Sequence, residues 1–415
     1  MKAISFLGLN NYRETTYLSP LSSVEYTTPF FQEALVEFYK PDTLYILLTK
    51  TVATVPPKGA EETNWEALQK RLTGKVNLQP VYNIPEAHST ADIWQLFEML
   101  TSCLEEGDRV IFDITHSFRS LPVLALIAVS YLRVVRNVKI EGLIYGAFEA
   151  QNKETNKTPT FDLLPMVSLL EWTTAIDQFL KTGNGQALAS LLSNDDDPQT
   201  QNLASSIDSI AQGLQLLRPM DVMREAATLP NHIVEATPIV SQSVPPFAAL
   251  LRRVEQDYGK FGLAQPDEYT VNAKVSLLRQ LEMVEWYAEK GQIVQALSLA
   301  REWLPSLLCY HFQLDPLDKK IREDMELLLS GGKTPPDEQG NKKESPRLEQ
   351  YKSSILKKKR KQLANLWGGK FNLAKLRNDV LHSGFRKDPK SAEDIVNQTK
   401  EVIKELKLIA LAWDL

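Results

Sequence analysis

The 415-residue chain carries 43% hydrophobic and 24% charged residues with a formal net charge of -5, the balance of an ordinary globular protein long enough for two or three separately cored domains. No apolar run approaches the roughly 20 residues of a membrane span, and Met1–Leu7 is too short for a signal peptide, so a cytoplasmic protein without membrane contact is expected. The acidic balance argues against a surface built to coat nucleic acid, and any RNA contact has to be a local patch.

From residue 1 to about 165, short apolar strands alternate with helical patterns, which implies an α/β domain with a parallel sheet covered on both faces. Strands are expected at Lys2–Gly8, Thr43–Thr49, Val76–Tyr82, Arg109–Thr115 and Val138–Tyr145, and helices at Phe30–Tyr39, Glu61–Leu72, Thr90–Leu104 and Arg119–Val135. Such sheets bind ligands at the carboxyl ends of their strands. Two loops qualify: Gly8, Leu9, Asn10, Asn11, Tyr12 and Arg13 after the first strand, and Asp113, Ile114, Thr115, His116, Ser117, Phe118 and Arg119 after the fourth. The first has one glycine and no G-x-G-x-x-G, which argues against a nicotinamide dinucleotide. The second joins a carboxylate, two hydroxyls, an imidazole and a guanidinium at a strand-to-helix turn, where free N–H groups favour an anion. The plainer alternative is that Asp113 or Ser117 caps the helix and His116 is an ordinary turn residue.

From 166 to 246 a helical connector is expected, with Asn194–Pro198 as a helix start rather than a metal site, and with the four prolines between Leu229 and Pro246 marking a linker. From 247 to 415 the spacing is that of an all-α bundle, interrupted by a long polar insertion at Ser330–Arg347. Cys103 and Cys309 lie in apolar helical surroundings and read as buried thiols. The basic run Lys357–Lys361 is either a solvated helix face or an RNA-backbone contact. Glu302, in a largely apolar helix, is a partner for Arg377 or for a local cation such as Arg301.

Near the C-terminus, Arg377, Asn378 and His382 precede a Ser-Gly break. An arginine can hold a phosphate and stabilise charge developing on it, and a histidine can move protons near neutrality. Those groups suffice for cleavage of RNA without a metal, because the 2′-hydroxyl itself attacks the adjacent phosphate. On a helix, residues five apart point about 140° from each other, so two copies meeting in a symmetric dimer would build one composite site.

The Asp113–Ser117 turn and the Arg377/His382 pair together resemble the CRISPR-associated effectors that join a CARF sensor domain to a HEPN ribonuclease domain, in the subgroup named for a D-x-T-H-G motif. Ser117 stands where that motif has glycine. The resemblance implies a Rossmann-like sensor domain, a C-terminal HEPN bundle and a homodimer or higher oligomer. It also implies activation by a cyclic oligoadenylate bound across the dimer axis, an even ring, with cyclic tetra-adenylate favoured over cyclic hexa-adenylate. Gly8, Leu9, Asn10, Asn11, Asp113, Thr115, His116, Ser117, Phe118 and Arg119 would then bind the ring, while Arg377, Asn378 and His382 would cut single-stranded RNA without a catalytic cofactor. Two other functions fit the same residues: a ligand-responsive regulator or scaffold without nuclease activity, and a sensor site that degrades its own ligand.

Overall fold

The chain begins with β1 (Lys2–Phe6), β2 (Thr15–Leu18), β3 (Glu25–Thr28), α1 (Phe31–Tyr39), β4 (Thr43–Leu47), α2 (Lys50–Thr54), α3 (Asn64–Leu72) and β5 (Asn77–Val81). It continues through α4 (Thr90–Ser102), β6 (Arg109–Asp113), α5 (Leu121–Arg136), β7 (Lys139–Gly146) and β8 (Lys157–Asp162). This is a computed structural model in which residues 1–86, 89–116, 121–335, 342–385 and 387–415 are described. The described residues divide into two units, Met1–Leu170 and Glu171–Leu415.

In the first unit the eight strands form one sheet in the order β3-β2-β8-β7-β6-β1-β4-β5. The five strands expected from sequence pair in parallel as β7-β6-β1-β4-β5, and β2 also runs parallel to β8. The expectation of a wholly parallel sheet is corrected at the other edge, where β8 runs antiparallel to β7 and β3 antiparallel to β2. Those three strands carry no apolar run. Threonines hold them instead: Thr15 and Thr158 hydroxyls lie 2.7 Å apart, and those of Thr16 and Thr27 2.8 Å apart. The β-branched residue suits the pleat and its hydroxyl supplies the cross-strand bond.

Alternation along β1 splits the core between the two faces. Ala3 packs with Phe31, Leu35, Trp65 and Leu68 under α1 and α3, whereas Ile4 and Phe6 pack with Leu96, Leu100 and Leu132 under α4 and α5. The order of connections reverses between β1 and β6, so their carboxyl ends form the crevice in which such sheets take ligands.

Helix α6 (Leu164–Thr182) leads into the second unit, followed by α7 (Gln186–Ser193), α8 (Pro198–Gln215), α9 (Pro219–Ser243) and α10 (Phe247–Tyr258). Asp197 caps α8 by accepting from the Gln199 N–H at 2.8 Å, so the aspartate run does start a helix. The proline-rich linker is corrected: residues 229–243 lie inside the 25-residue α9, with Pro230 and Pro238 in its interior. Val222, Ala226, Leu229, Ile233, Ala236 and Val240 are all buried, and this alternating four-and-three spacing is a helical face that outweighs the prolines. Pro238 and Val234, whose carbonyl loses its donor, both face solvent. At Pro230 the corresponding Ala226 carbonyl meets the Gly262 backbone, where an added Cβ would lie 3.1 Å from the oxygen.

The remaining helices are α11 (Tyr269–Glu289), α12 (Ile293–Phe312), α13 (Lys319–Leu329), α14 (Leu348–Ser354), α15 (Lys357–Trp367), α16 (Leu373–Leu381) and α17 (Ala392–Ala412). Helices α14 and α15 are separate, because Ile355 between them turns extended and buries its side chain. The ends of the polar insertion are tied by Ser345 N–H donating to Gly332 O at 2.9 Å and Thr334 N–H to Lys343 O at 2.9 Å; residues 336–341 between them lie outside the described residues. Cys103 and Cys309 are free and buried, and burial pushes both thiols up to about 11. None of the described helices is long and apolar enough to cross a membrane.

Candidate functional site

At the carboxyl end of β6 the Asp113 carboxylate is fully buried. It accepts from Ser5 Oγ at 2.5 Å and from the Thr115 N–H at 2.8 Å. Gln32 of α1 donates to Ser5 Oγ at 3.0 Å and to Phe6 O at 2.8 Å, and Gly146 N–H donates to Thr115 Oγ1 at 2.8 Å. Burial pushes the Asp113 carboxyl up to about 6 against these stabilising bonds. Asp113 is therefore neither helix cap nor exposed ligand contact. It is the hub that fixes the turn.

The loop after β1 meets this turn. Gly8 N–H donates to Tyr12 Oη at 2.7 Å, and the Tyr12 ring lies on His116 with centroids 4.2 Å apart. Asn64, at the start of α3, donates to the carbonyls of Gly8 and Asn10 at 2.8 and 2.9 Å. Asn11 Nδ2 donates to Lys58 O at 3.0 Å. An added Cβ at Gly8 would lie 3.0 Å from Tyr12 Oη, a tight contact that would press on the Tyr12 hydroxyl. Leu9, Asn10 and Asn11 remain exposed. His116 Nε2 is buried with no hydrogen-bond partner among the described residues, and burial lowers its imidazole to about 4. At neutral pH it is an uncharged ring with a nitrogen to offer. Gly8, Thr115 and His116 are thus brought together; Ser117, Phe118 and Arg119 lie outside the described residues.

Sequence reading missed Ser5, Gln32 and Asn64, which hold these loops, and named Tyr12 in its loop without the part it plays in holding it. Ser5 and Gln32 left a signal, since each is a polar residue on an otherwise apolar buried face. Tyr12 and Asn64 left none, because their roles depend on contacts made only in the folded chain.

In the second unit, Arg377 lies in α16 and His382 at its C-cap. The Arg377 side chain is 25% exposed; Nη1 donates to Asn378 Oδ1 at 2.9 Å, and buried Nε has no partner among the described residues. Burial, and then the neighbouring Arg301, lower its pKa. His382 is exposed, with its N–H donating to Asn378 O at 2.9 Å. Behind it Ser383 and Gly384 take positive φ, and buried Asp379 Oδ2 accepts from Lys390 N–H at 3.1 Å, so the Ser-Gly break is a braced turn.

Glu302 is held chiefly by local cations. It accepts from Arg301 Nη1 at 2.6 Å and Arg322 Nη2 at 2.7 Å, and Arg377 Nη2 stands 4.0 Å away. Burial opposes its charge, but Arg322 and then Arg301 leave its carboxyl below the usual range. Arg301 also grips Glu326 with both terminal nitrogens, at 3.0 and 2.8 Å. Arg377, Glu302 and Arg322 line a cavity of about 1090 Å³. His382 does not line it, so one chain does not converge the arginine and histidine on a single pocket. In the basic run, Lys359 lies over Trp413 and Arg360 donates to Ile355 O at 3.0 Å, whereas Lys357, Lys358 and Lys361 are exposed. No group of three or more potential metal ligands occurs among the described residues.

Residues 2–149 match the family described as the CARF domain of the CRISPR system endoribonuclease Csx1, and residues 168–268 match the second domain of CRISPR-associated protein MJ1674. The first unit is thus a CARF domain. CRISPR-associated protein MJ1674 of Methanocaldococcus jannaschii is 30% identical over 141 residues, which are 33% of this chain and 22% of that protein's length. Csm6 of Enterococcus italicus, solved bound to cyclic hexa-2′-fluoro-hexa-dAMP, is 10% identical, with a TM-score of 0.51 over 99% of this chain and 94% of its own. That likeness is one of fold, an α/β domain followed by a helical region. The family matches thus put a CARF domain at residues 2–149 and a region similar to a CRISPR-associated second domain at 168–268.

Proposed function

We propose that the chain is a cyclic-oligoadenylate-activated, metal-independent endoribonuclease of type III CRISPR antiviral defence that cuts single-stranded RNA at a composite site shared by two copies. The observation that carries this reading is the state of Arg377: a half-buried guanidinium facing a cavity, with its Nε unpartnered among the described residues and Glu302 already held by Arg301 and Arg322. Such a group is poised for an oxyanion. The helical region from Phe247 onward is read as a HEPN domain, with Asn378 orienting Arg377 through the 2.9 Å bond.

In the reaction the 2′-oxygen attacks phosphorus and the P–O5′ bond breaks. His382 serves proton transfer from the 2′-hydroxyl or to the leaving 5′-oxygen, and Arg377 stabilises the charge on the phosphorane. The products are a 2′,3′-cyclic phosphate and a 5′-hydroxyl. No metal-bound hydroxide is needed, because the substrate carries its own nucleophile. Because Arg377 faces the cavity and His382 lies exposed at the helix end, the pair is completed by a second copy.

The activator is a cyclic oligoadenylate at the β1 and β6 turns, with neutral His116 hydrogen-bonding the ring and Ser117, Phe118 and Arg119 as further contacts. The Csx1 CARF match over residues 2–149 and the ligand carried by the Csm6 neighbour support this. Cyclic tetra-adenylate is favoured over the hexa-adenylate.

The test is cleavage of a fluorescent single-stranded RNA in EDTA, with a panel of cyclic oligoadenylates, comparing wild type with His382→Ala. Cleavage with one ring size, abolished in the variant while ring binding persists, is the expected result. Ring binding without any RNA cleavage would instead establish the regulator reading.

A further inference from the structure

Arg377 does not face its cavity alone. Ser298, Glu302, Ser306 and Tyr310 all line it, and their four-residue steps put them on one stripe of α12. Three cations, Lys274, Arg322 and Arg377, line the space against one carboxylate, Glu302. This excess of positive charge sits in a chain whose overall charge is -5. Arg322 is fully engaged: it donates to Glu302 Oε2 and O at 2.7 and 3.0 Å, to Ser306 Oγ at 3.0 Å and to Pro316 O at 3.1 Å. The charge left for a ligand therefore belongs to Arg377 and to Lys274. Two buried polar atoms of lining residues, Arg377 Nε and Ser298 Oγ, have no partner among the described residues. Such atoms are costly unless something fills them.

The rest of the wall mixes apolar and aromatic residues, Leu277, Leu314, Tyr269 and Tyr310 among them, with polar ones such as Gln280 and Gln313. A volume of about 1090 Å³ exceeds the roughly 300–1,000 Å³ of ordinary small-ligand pockets and is far too large for a free phosphate. Spaced cations beside aromatic rings are the chemistry of a single strand, with phosphates on the cations and bases on the rings.

We infer that this cavity is the seat of a single-stranded nucleic acid, with one phosphate on the Arg377 guanidinium, a neighbouring phosphate on Lys274, and a base against Tyr269 or Tyr310. The inference rests on the ribonuclease reading only in taking that strand to be the RNA to be cut. It gives the carboxylate of Glu302 a defined role. By holding Arg322 away from the ligand, Glu302 leaves Arg377 as the primary phosphate anchor.

The probe is a short fluorescent single-stranded oligodeoxynucleotide, which lacks the 2′-hydroxyl and cannot be cut by the proposed route. Its binding to the full chain is followed by anisotropy against salt, with cyclic oligoadenylate present. Lys274→Gln and Arg377→Gln should each weaken binding about tenfold, and each should reduce the salt slope by about 0.7. Lys357→Gln combined with Lys358→Gln, on the exposed basic run outside the cavity, should leave both unchanged. The inference is overturned if the basic-run variant loses the probe while Lys274→Gln retains it, if wild type fails to bind, or if duplex binds as tightly as single strand. Failure of the two ideas is separable. RNA cleavage with binding indifferent to Lys274 removes the cavity assignment alone, and Lys274-dependent binding without cleavage removes the nuclease alone.

Discussion

The substitution Asp113→Asn should stabilise the sensor domain at neutral pH, although Asp113 is the most bonded residue of the ligand turn. Its carboxyl is raised by burial from 3.8 to about 6, so between those values the folded chain keeps a proton that the unfolded chain has lost. The stability contributed by the protonated form is therefore complete below pH 3.8 and falls as pH rises through 6. At about 1.4 kcal/mol per unit, the total loss is about 3 kcal/mol. The amide of the variant carries no such charge. It would have to donate to Ser5 Oγ, which already receives Gln32 Nε2 at 3.0 Å, but the hydroxyl can accept both and turn its proton to Phe6 O at 3.4 Å. That rearrangement costs about 1 kcal/mol. The net expectation is a gain of about 2 kcal/mol at about pH 8 that disappears, or turns into a small loss, near pH 4. Hydrogen exchange of the β1 and β6 peptides in urea, comparing the two proteins across this range, measures it. A variant less stable than wild type at the alkaline end, or a difference that does not change across the range, would refute the account of Asp113 as a buried, strained hub.

Two further substitutions test the packing. Gly146→Ala would put a Cβ 2.7 Å from Phe31 Cδ2 and 3.1 Å from Tyr17 Cε1, and such overpacking should cost about 1–3 kcal/mol, read as a lower urea midpoint with unchanged slope. Pro238→Ala should stabilise α9 by about 1–2 kcal/mol, because the restored N–H can bond Val234 O and the helix penalty of proline exceeds the unfolded-state entropy it saves; a thermal midpoint at or below that of wild type would count against the continuous helix.

The five parallel strands were legible because they alternate with helical patterns between breaks, although β5 (Asn77–Val81) is an edge strand with few apolar residues. The strands at the other edge were not, since Thr15–Leu18 and Glu25–Thr28 look like polar loop until their hydroxyls meet across strands. The α9 region misled in the opposite way: its prolines are conspicuous locally, while the buried series from Val222 to Val240 emerges only when spacing is read through them. Residues of the ligand turn could be named from one strand-to-helix motif. The residues that hold it could not, because Gln32 reaches Ser5 and Asn64 reaches Gly8 only after the sheet has formed.

The same distinction governs the proposed catalytic end. A spacing of five between Arg377 and His382 sends the two side chains in different directions, and the fold gives them different surroundings, a cavity wall and an exposed helix end. The cavity has chemistry that a motif search does not see: Ser298, Glu302, Ser306 and Tyr310 recur at the interval of one helix turn in a largely apolar segment. Polar residues on a single stripe of a buried helix are expensive unless they meet one another or a ligand. Glu302 meets Arg301 and Arg322, Ser306 meets Arg322, and the atoms left over, Ser298 Oγ and Arg377 Nε, belong to residues lining the same space. The arginine of the motif is thus one element of a charge arrangement spread over α11, α12, α13 and α16. Substituting it leaves Glu302 on Arg301 and Arg322 and takes from the cavity wall the guanidinium that they do not neutralise.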